Sequence, residues 1–153
     1  MPADELTSAQ IRPVGADDHV RGDHGQVVVM YADLACPRCA VEALRLRDAG
    51  ARVAFRHFAL KTKHPRSVAL ACAAEAAGRQ GAFWAFHDAI YEDQGHLDDP
   101  HLWERCGRLG LDLERFEADR RGEDVLERVR RDTREGMRAG VTGTPAVKRP
   151  SVD

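Results

Sequence analysis

The sequence predicts a mixed α/β fold, and three observations support this prediction. A continuous apolar run at residues 27–31, VVVMY, is typical of a strand that is buried on both faces of a sheet. A helix-forming stretch follows it, and a second apolar run comes after a tight turn at residues 51–60. Strand, helix and strand with short connections indicate a parallel βαβ unit. From Pro65 to about Ala139 the apolar residues then follow a helical pattern.

Helix boundaries are assigned from the residues that start and stop helices. Pro37 suits the first position of the helix between the two strands, and Gly50 suits its end. Glycines separate the later helical segments from one another. The predicted segments cover residues 67–78, 82–94, 98–110, 112–120 and 123–140, and a last short strand, AVK, covers residues 146–148.

Length and composition limit the class of protein. The 153 residues, of which 43% are hydrophobic, suffice for one domain with a single core. We therefore assign residues 1–25 to an irregular N-terminal arm and residues 26–153 to one domain. The 23 basic and 25 acidic residues are intermixed, which argues against a nucleic-acid surface. No apolar run has the length of a signal peptide or a membrane span, so we expect a soluble, cytoplasmic protein without membrane insertion.

The last predicted helix, residues 123–140, is rich in charge. Opposite charges recur at a spacing of four and predict ion pairs along a solvated helix face. The pairs are Asp124 with Arg128, Glu127 with Arg131 and Arg131 with Glu135, while Val125, Val129 and Met137 are predicted to share the opposite, apolar side.

Two cysteines, Cys36 and Cys39, lie three positions apart where the first strand gives way to the helix. Backbone N–H groups at a helix start favour an anion, and the positive charge of Arg38 acts in the same direction. We therefore expect Cys36 to be partly thiolate, with Pro37 and Arg38 tuning its acidity. Cys39 is expected to be less exposed. This asymmetry suits a dithiol in which Cys36 attacks a disulfide and Cys39 resolves the mixed disulfide.

Other interpretations of the cysteine pair stay open at this point. A zinc site needs two further ligands at matching spacing, and the sequence offers neither a second CxxC nor an HxxxH. The remaining cysteines, Cys72 and Cys106, stand alone in helical segments and are expected to be buried and inert. A third interpretation gives Cys36 and Cys39 no chemical role. We predict no metal and no cofactor.

Five segments of the chain together carry a family resemblance: YADLACPRC at 31–39, FRHFAL at 55–60, the helical residues 64–94, LGLDLERF at 109–116 and GVTGTP at 140–145. In order and spacing they resemble the DsbA-like thiol-disulfide oxidoreductases of the thioredoxin superfamily. The resemblance extends from about Asp18 to Pro145. It implies a thioredoxin-like fold with a helical subdomain inserted at about residues 65–139.

The resemblance also implies roles for particular residues and partners. Cys36 would be the nucleophile and Cys39 the resolving thiol. Thr144 and Pro145 would form the substrate-binding loop that faces the dithiol, with a cis peptide bond between them. The implied partners are protein or peptide thiols and disulfides, together with a low-molecular-weight thiol or a thioredoxin-type electron partner.

The sequence departs from the family at three places. Met30 stands where many members have a buried acid, six positions before Cys36, and Ala59 replaces a frequent proline. Beyond Pro145 only AVKRPSVD follows, so we expect the C-terminal strand and helix of the family to be truncated. An uncovered sheet edge and face favour association, which predicts a homodimer or a marginally stable domain. These departures also support an alternative function, a non-catalytic binding module with a vestigial dithiol.

Overall fold

A computed structural model describes residues 10–150, which contain six helices and a four-stranded sheet. In chain order the elements are β1 (His19–Arg21), β2 (His24–Ala32), α1 (Pro37–Asp48), β3 (Ala51–His57), α2 (Ser67–Gly78), α3 (Phe83–Tyr91), α4 (Asp99–Arg108), α5 (Leu113–Arg120), α6 (Glu123–Arg138) and β4 (Ala146–Lys148). The predicted α/β fold class is therefore confirmed. Each predicted helix and strand has a counterpart whose ends differ from the prediction by a few residues.

The sheet has the strand order β1-β3-β2-β4. Its centre is the parallel pair of β2 and β3, in which Met30 lies beside Phe55 and Tyr31 beside Arg56. The edge strands β1 and β4 run antiparallel to their neighbours. Strand β1 and the start of β2 lie in the segment predicted to be an irregular arm. That prediction was wrong for residues 19–21, because antiparallel pairing with residues 53–55 of β3 holds a strand that has no apolar run of its own.

The two faces of the sheet bury different sets of side chains, because neighbouring residues of a strand point to opposite sides. On one face, Met30 and Phe55 join the main core with residues of α1, α2 and α3. On the other face, Val29, Tyr31 and Ala54 pack with residues that lie far away in the sequence. The central strands are thus buried on both sides, as their continuous apolar runs predict.

The second face is covered in part by the N-terminal segment. Ile11 is only 8% exposed and packs in the same cluster as Tyr31. Arg56 is fully buried in β3, and its Nε and Nη2 donate to the two carboxylate oxygens of Asp18 at 3.0 Å each. Arg56 also donates to the carbonyl of Pro13 at 3.3 Å. The sequence predicted a sheet face without cover, and on this face the arm itself supplies cover. Residues 1–9 of the predicted arm and residues 151–153 lie outside the described residues.

Several charged side chains of α6 bind other elements, and the pairs within the helix are Arg134 with Glu127 and Arg131 with Asp132 among the described residues. Within residues 10–150, Arg128 pairs with Glu75 of α2, Arg131 with Asp17, and Glu135 with Arg12. The predicted pairs at a spacing of four were therefore wrong. Arg128, Arg131 and Glu135 thus have partners in α2 and in the arm, so α6 helps to hold the arm in place.

Gly136 allows α6 to lie directly on the sheet. A Cβ atom at this position would lie 2.9 Å from Cδ1 of Phe58 and 3.0 Å from Cδ1 of Tyr31, closer than packed atoms normally approach. Met137, which was predicted to belong to the apolar side of the helix, is 51% exposed instead. Gly136 takes its place against the sheet because the space there admits no side chain.

Glu75 of α2 is a buried carboxylate that joins three other elements. Its Oε2 accepts hydrogen bonds from Nε2 of His19 and from Nε2 of His57, both at 2.8 Å. Nε of Arg128 lies 3.2 Å from its Oε1. Burial alone would raise the pKa of Glu75, but the hydrogen bonds from both histidines outweigh it and hold the pKa well below its usual range. Glu75 therefore links α2 with β1, β3 and α6.

Glu75→Gln tests this link. Removing one partner of a buried charged cluster is expected to lower the free energy of unfolding by about 2–4 kcal/mol at about pH 7. The pKa of Glu75 is lower in the folded protein than its ordinary value of 4.5. Its stabilisation is therefore present above that value and is lost as the pH falls, so the difference between variant and parent should shrink in acid. Urea unfolding measures both quantities.

The matched control is Glu114→Gln, which changes the same chemical group at an exposed position. It should alter the free energy of unfolding by less than about 0.5 kcal/mol. Equal effects of the two substitutions would contradict the role assigned to Glu75.

Candidate active site

Cys36 lies at the boundary between the loop after β2 and helix α1. It is the N-cap residue of α1, with φ −99° and ψ 115°, and its Sγ accepts a hydrogen bond from the N–H of Cys39 at 3.3 Å. Pro37 occupies the first turn of the helix, where its missing N–H costs no helical hydrogen bond. Cys36 is 5% exposed, and the next two residues, Pro37 and Arg38, are exposed. The Sγ atom of Cys36 therefore lies at the positive end of the helix, close to solvent.

Cys39 lies behind Cys36 and has no exposed surface. Burial raises the pKa of the Cys39 thiol to about 12, although hydrogen bonds to the backbone of Asp33 and the side chain of Thr144 oppose this rise. The two thiols are near each other and are not joined by a disulfide. Cys36 thus keeps a small exposed surface, whereas Cys39 is enclosed and its raised pKa favours the neutral thiol.

The turn before Cys36 is built on Asp33. Its carbonyl oxygen accepts hydrogen bonds from the N–H of Cys36 at 3.1 Å and from the hydroxyl of Tyr91 in α3 at 3.0 Å. Its carboxylate accepts from the N–H of Ala35 at 2.9 Å and from the hydroxyl of Ser67 in α2. These contacts fix the path of the chain from β2 into α1, and with it the position of Cys36.

Asp33 is a site residue that the sequence reasoning missed. Its carboxyl group is buried, at 2% exposed, and burial raises the pKa of Asp33 above its ordinary value despite the hydrogen bonds from Ser67 and Ala35. The sequence analysis sought an acid only at the position of Met30, which is buried beside Phe55 in the core. The available signal was an aspartate between an apolar run and a CxxC pair.

A cavity of about 270 Å³ opens beside Cys36. Cys36 and Pro37 contribute to its wall from α1, and Gly143 and Thr144 contribute from the loop before β4. Thr144 is followed by Pro145 through a cis peptide bond. The structure thus brings Thr144 to the cysteine pair although more than one hundred residues separate them in the sequence.

The other candidate residues lie away from this cavity. Cys72 and Cys106 are buried in helices, and burial raises the pKa of both thiols, that of Cys106 to about 11. His87 is also buried, which lowers its pKa, and its Nδ1 lies 2.9 Å from the carboxylate of Asp88. Within residues 10–150, no group of three or more His, Cys, Asp and Glu side chains has the geometry to hold a metal ion.

Comparison with protein families identifies one matching domain. The sequence model for the DSBA-like thioredoxin domain matches residues 57–148, a range that begins after Cys36 and Cys39.

Known structures support the same assignment over most of the chain. A thioredoxin-like oxidoreductase from Silicibacter pomeroyi DSS-3 superimposes with a TM-score of 0.73 and 26% identity, covering 91% of this chain and 87% of that one. DsbA2 of Pseudomonas aeruginosa gives a TM-score of 0.68 and 25% identity, with 89% and 81% covered. BdbD of Bacillus subtilis, at 19% identity and a TM-score of 0.72, covers 92% and 85% and supports the fold alone. The predicted thioredoxin-like fold is confirmed.

Similar sequences among curated proteins belong to sodium/proton antiporters. The Na(+)/H(+) antiporter NhaA 1 of Salinispora arenicola is 42% identical over 144 residues, which is 87% of this chain but 22% of that protein. NhaA 1 of Mycolicibacterium vanbaalenii is 32% identical over 157 residues, covering 95% of this chain and 25% of that protein. The chain therefore spans no more than about a quarter of the length of these relatives. Within residues 10–150, no helix has the length and hydrophobicity needed to cross a membrane.

The substitution Asp33→Asn tests the environment of the buried carboxyl group. Because the pKa of Asp33 is raised above 3.8, the folded protein holds the proton more tightly than the unfolded chain does. The parent therefore loses stability as the pH rises above that value, whereas the amide does not titrate. The variant should gain stability relative to the parent between about pH 3 and pH 7, by roughly 1 kcal/mol.

Urea unfolding at a series of pH values measures this gain. The exposed variant Asp23→Asn is the matched control and should differ from the parent by no more than about 0.5 kcal/mol throughout. A gain for Asp33→Asn that is constant or falls with rising pH would contradict the assignment.

Proposed function

Because the chain belongs to the family of DSBA-like thioredoxin domains, we propose that it is a thiol-disulfide oxidoreductase whose reactive groups are Cys36 and Cys39. The observation that carries this proposal is the different placement of the two sulfur atoms. Cys36 lies at a helix N-terminus in the wall of an open cavity, and Cys39 is enclosed directly behind it.

In the first step, the thiolate of Cys36 attacks one sulfur of a substrate disulfide. A mixed disulfide forms, the substrate S–S bond breaks, and the departing thiolate takes up a proton. The N–H of Cys39 already donates to Sγ of Cys36. That hydrogen bond and the helix N-terminus stabilise the thiolate before the attack.

In the second step, Cys39 loses its proton and attacks Sγ of Cys36. The mixed disulfide breaks, the second substrate sulfur leaves as a thiolate and takes up the proton, Cys36 and Cys39 form a disulfide, and two electrons have passed from the protein to the substrate. The pKa of Cys39, raised to about 12 by burial, keeps this thiol protonated until the mixed disulfide has formed. The same steps in reverse oxidise a substrate dithiol.

Thr144 and Pro145 are the proposed substrate-binding residues. Thr144 lines the cavity together with Cys36, so a substrate sulfur that reaches Cys36 would contact this loop. An extended peptide can bind there through its main chain, as an added strand does. Protein or peptide disulfides are the proposed substrates, with a low-molecular-weight thiol or a thioredoxin-type protein as electron partner. The cytoplasmic location and the homodimer stay predictions.

A second candidate function is action of this chain together with a membrane transport protein. The antiporter relatives contain a segment that is up to 42% identical to this chain. We propose on this ground that the chain acts together with a sodium/proton antiporter, as a redox-sensitive partner or as part of one polypeptide.

Cysteine variants test the oxidoreductase proposal. In the reduction of insulin disulfides by dithiothreitol, Cys36→Ser should lower the catalysed rate at least about 100-fold, because the attacking sulfur is absent. Cys39→Ser should accumulate a mixed disulfide that is visible by mass spectrometry. The control Cys72→Ala removes a buried thiol outside the site and should keep the rate within about twofold. Unchanged turnover in folded Cys36→Ser would defeat the proposal and favour the non-catalytic binding module.

The antiporter candidate has its own test. The Salinispora arenicola antiporter, without the segment similar to this chain, is reconstituted in vesicles, and the purified chain is added. We expect the chain to bind these vesicles and its reduced and oxidised forms to differ at least about twofold in their effect on sodium-driven proton exchange. Cys36→Ser should bind without this difference. Absence of binding would contradict the candidate.

A further inference from the structure

Two cationic side chains and a histidine line the cavity that contains Cys36. Arg38 comes from α1, and Lys63 and His64 come from the loop between β3 and α2. Arg38 and Lys63 are exposed, and neither forms an ion pair with a carboxylate of residues 10–150. Many other arginines of this protein, such as Arg56, are paired. The cavity therefore presents free positive charge next to the reactive sulfur.

The same cavity wall carries little negative charge. Asp33 is the carboxylate among its described lining residues. This carboxyl group is 2% exposed and is already engaged by Ser67 and Ala35. It faces His64 closely enough to interact with it electrostatically. A ligand in the cavity would thus meet the charges of Arg38 and Lys63 before that of Asp33.

The remaining wall and the size of the cavity limit what can enter. Phe58 and Leu60 form an apolar surface on one side. The volume of about 270 Å³ is near the lower end for small-molecule sites, which hold roughly 300–1,000 Å³. One arm of a small disulfide fits this volume, with its aliphatic part on Phe58 and Leu60 and its charged end toward Lys63.

From this arrangement we infer that, among low-molecular-weight disulfides, the site exchanges preferentially with those whose arms carry carboxylates. The inference rests on the proposed function and specifies the charge of its small-molecule redox partner. One such disulfide is reduced to two thiols while Cys36 and Cys39 become a disulfide, so two electrons leave the protein. Arg38 and Lys63 attract the anionic arm by their charge and, with His64 in the same wall, hold its sulfur near Cys36.

Three small disulfides of different charge provide the test. The fully reduced protein is mixed with oxidised glutathione, which is anionic, with hydroxyethyl disulfide, which is neutral, or with cystamine, which is cationic. Formation of the protein disulfide is followed by mass spectrometry after acid quenching. Each rate constant is divided by that of dithiothreitol with the same disulfide, which removes the intrinsic reactivity of the compound.

The expected order of normalised rates is anionic, then neutral, then cationic, with at least about a tenfold span at low ionic strength. The span should shrink in about 0.5 M salt, because the Debye length falls to a few ångströms. Lys63→Glu should lower the rate with oxidised glutathione, relative to the rate with hydroxyethyl disulfide, about fivefold or more.

Lys61→Glu is the matched control, since Lys61 is exposed, lies two residues away and does not line the cavity. It should change each rate less than about twofold. Equal normalised rates for all three disulfides, or equal effects of Lys61→Glu and Lys63→Glu, would overturn the inference and leave the proposed function standing. If none of the three compounds oxidises Cys36 and Cys39, the inference and the proposed function are both wrong.

Discussion

The turn at Asp33 is the constraint on which the geometry of the dithiol depends. The backbone carbonyl of Asp33 accepts hydrogen bonds from the N–H of Cys36 and the hydroxyl of Tyr91, and its carboxylate accepts one from the hydroxyl of Ser67. The strand β2 is thereby tied to α1, α2 and α3 at a single residue. Because α1 starts where this turn ends, the N–H of Cys39 in its first turn donates to the sulfur of Cys36. This position of Cys36 brings its sulfur both to the positive end of α1 and to the wall of the cavity.

Two buried carboxylates, Asp18 and Glu75, stabilise the surroundings of the sheet in a different way. Asp18 joins the N-terminal segment to Arg56 of β3, and Glu75 joins α2 to His57 at the end of the same strand. Asp18 lies 38 positions from its partner and Glu75 lies 18 positions from His57, so each contact joins separate elements of the chain. The central strand β3 is therefore held from both faces of the sheet, and this keeps the loop after it, with Lys63, next to the dithiol.

Local sequence patterns predicted the helices and the central strands, but they could not predict the contacts between residues that lie far apart in the sequence. The apolar runs located β2 and β3, and Pro37 located the start of α1, because burial and helix capping leave a mark within a few residues. The covered sheet face and the partners of α6 depend on contacts between residues that lie from 38 to 123 positions apart, and periodicity carries no information about them. Ala59 illustrates the same limit: its N–H donates to Thr133 of α6, a bond that a proline would not allow and that composition does not indicate.

Gly136 connects the packing of the sheet with the opening of the cavity. Its missing side chain lets α6 approach Tyr31 and Phe58, and its carbonyl oxygen accepts the N–H of Val141 at 2.9 Å where the chain leaves the helix. Phe58 in turn lines the cavity, as does Thr144 three residues beyond Val141. The positions of Phe58 and Thr144 in the cavity wall therefore depend on how closely the backbone of α6 lies against the sheet. Substitutions that change the distance between α6 and the sheet would therefore change the access of molecules to the sulfur of Cys36, even if every residue around the two thiols stayed the same.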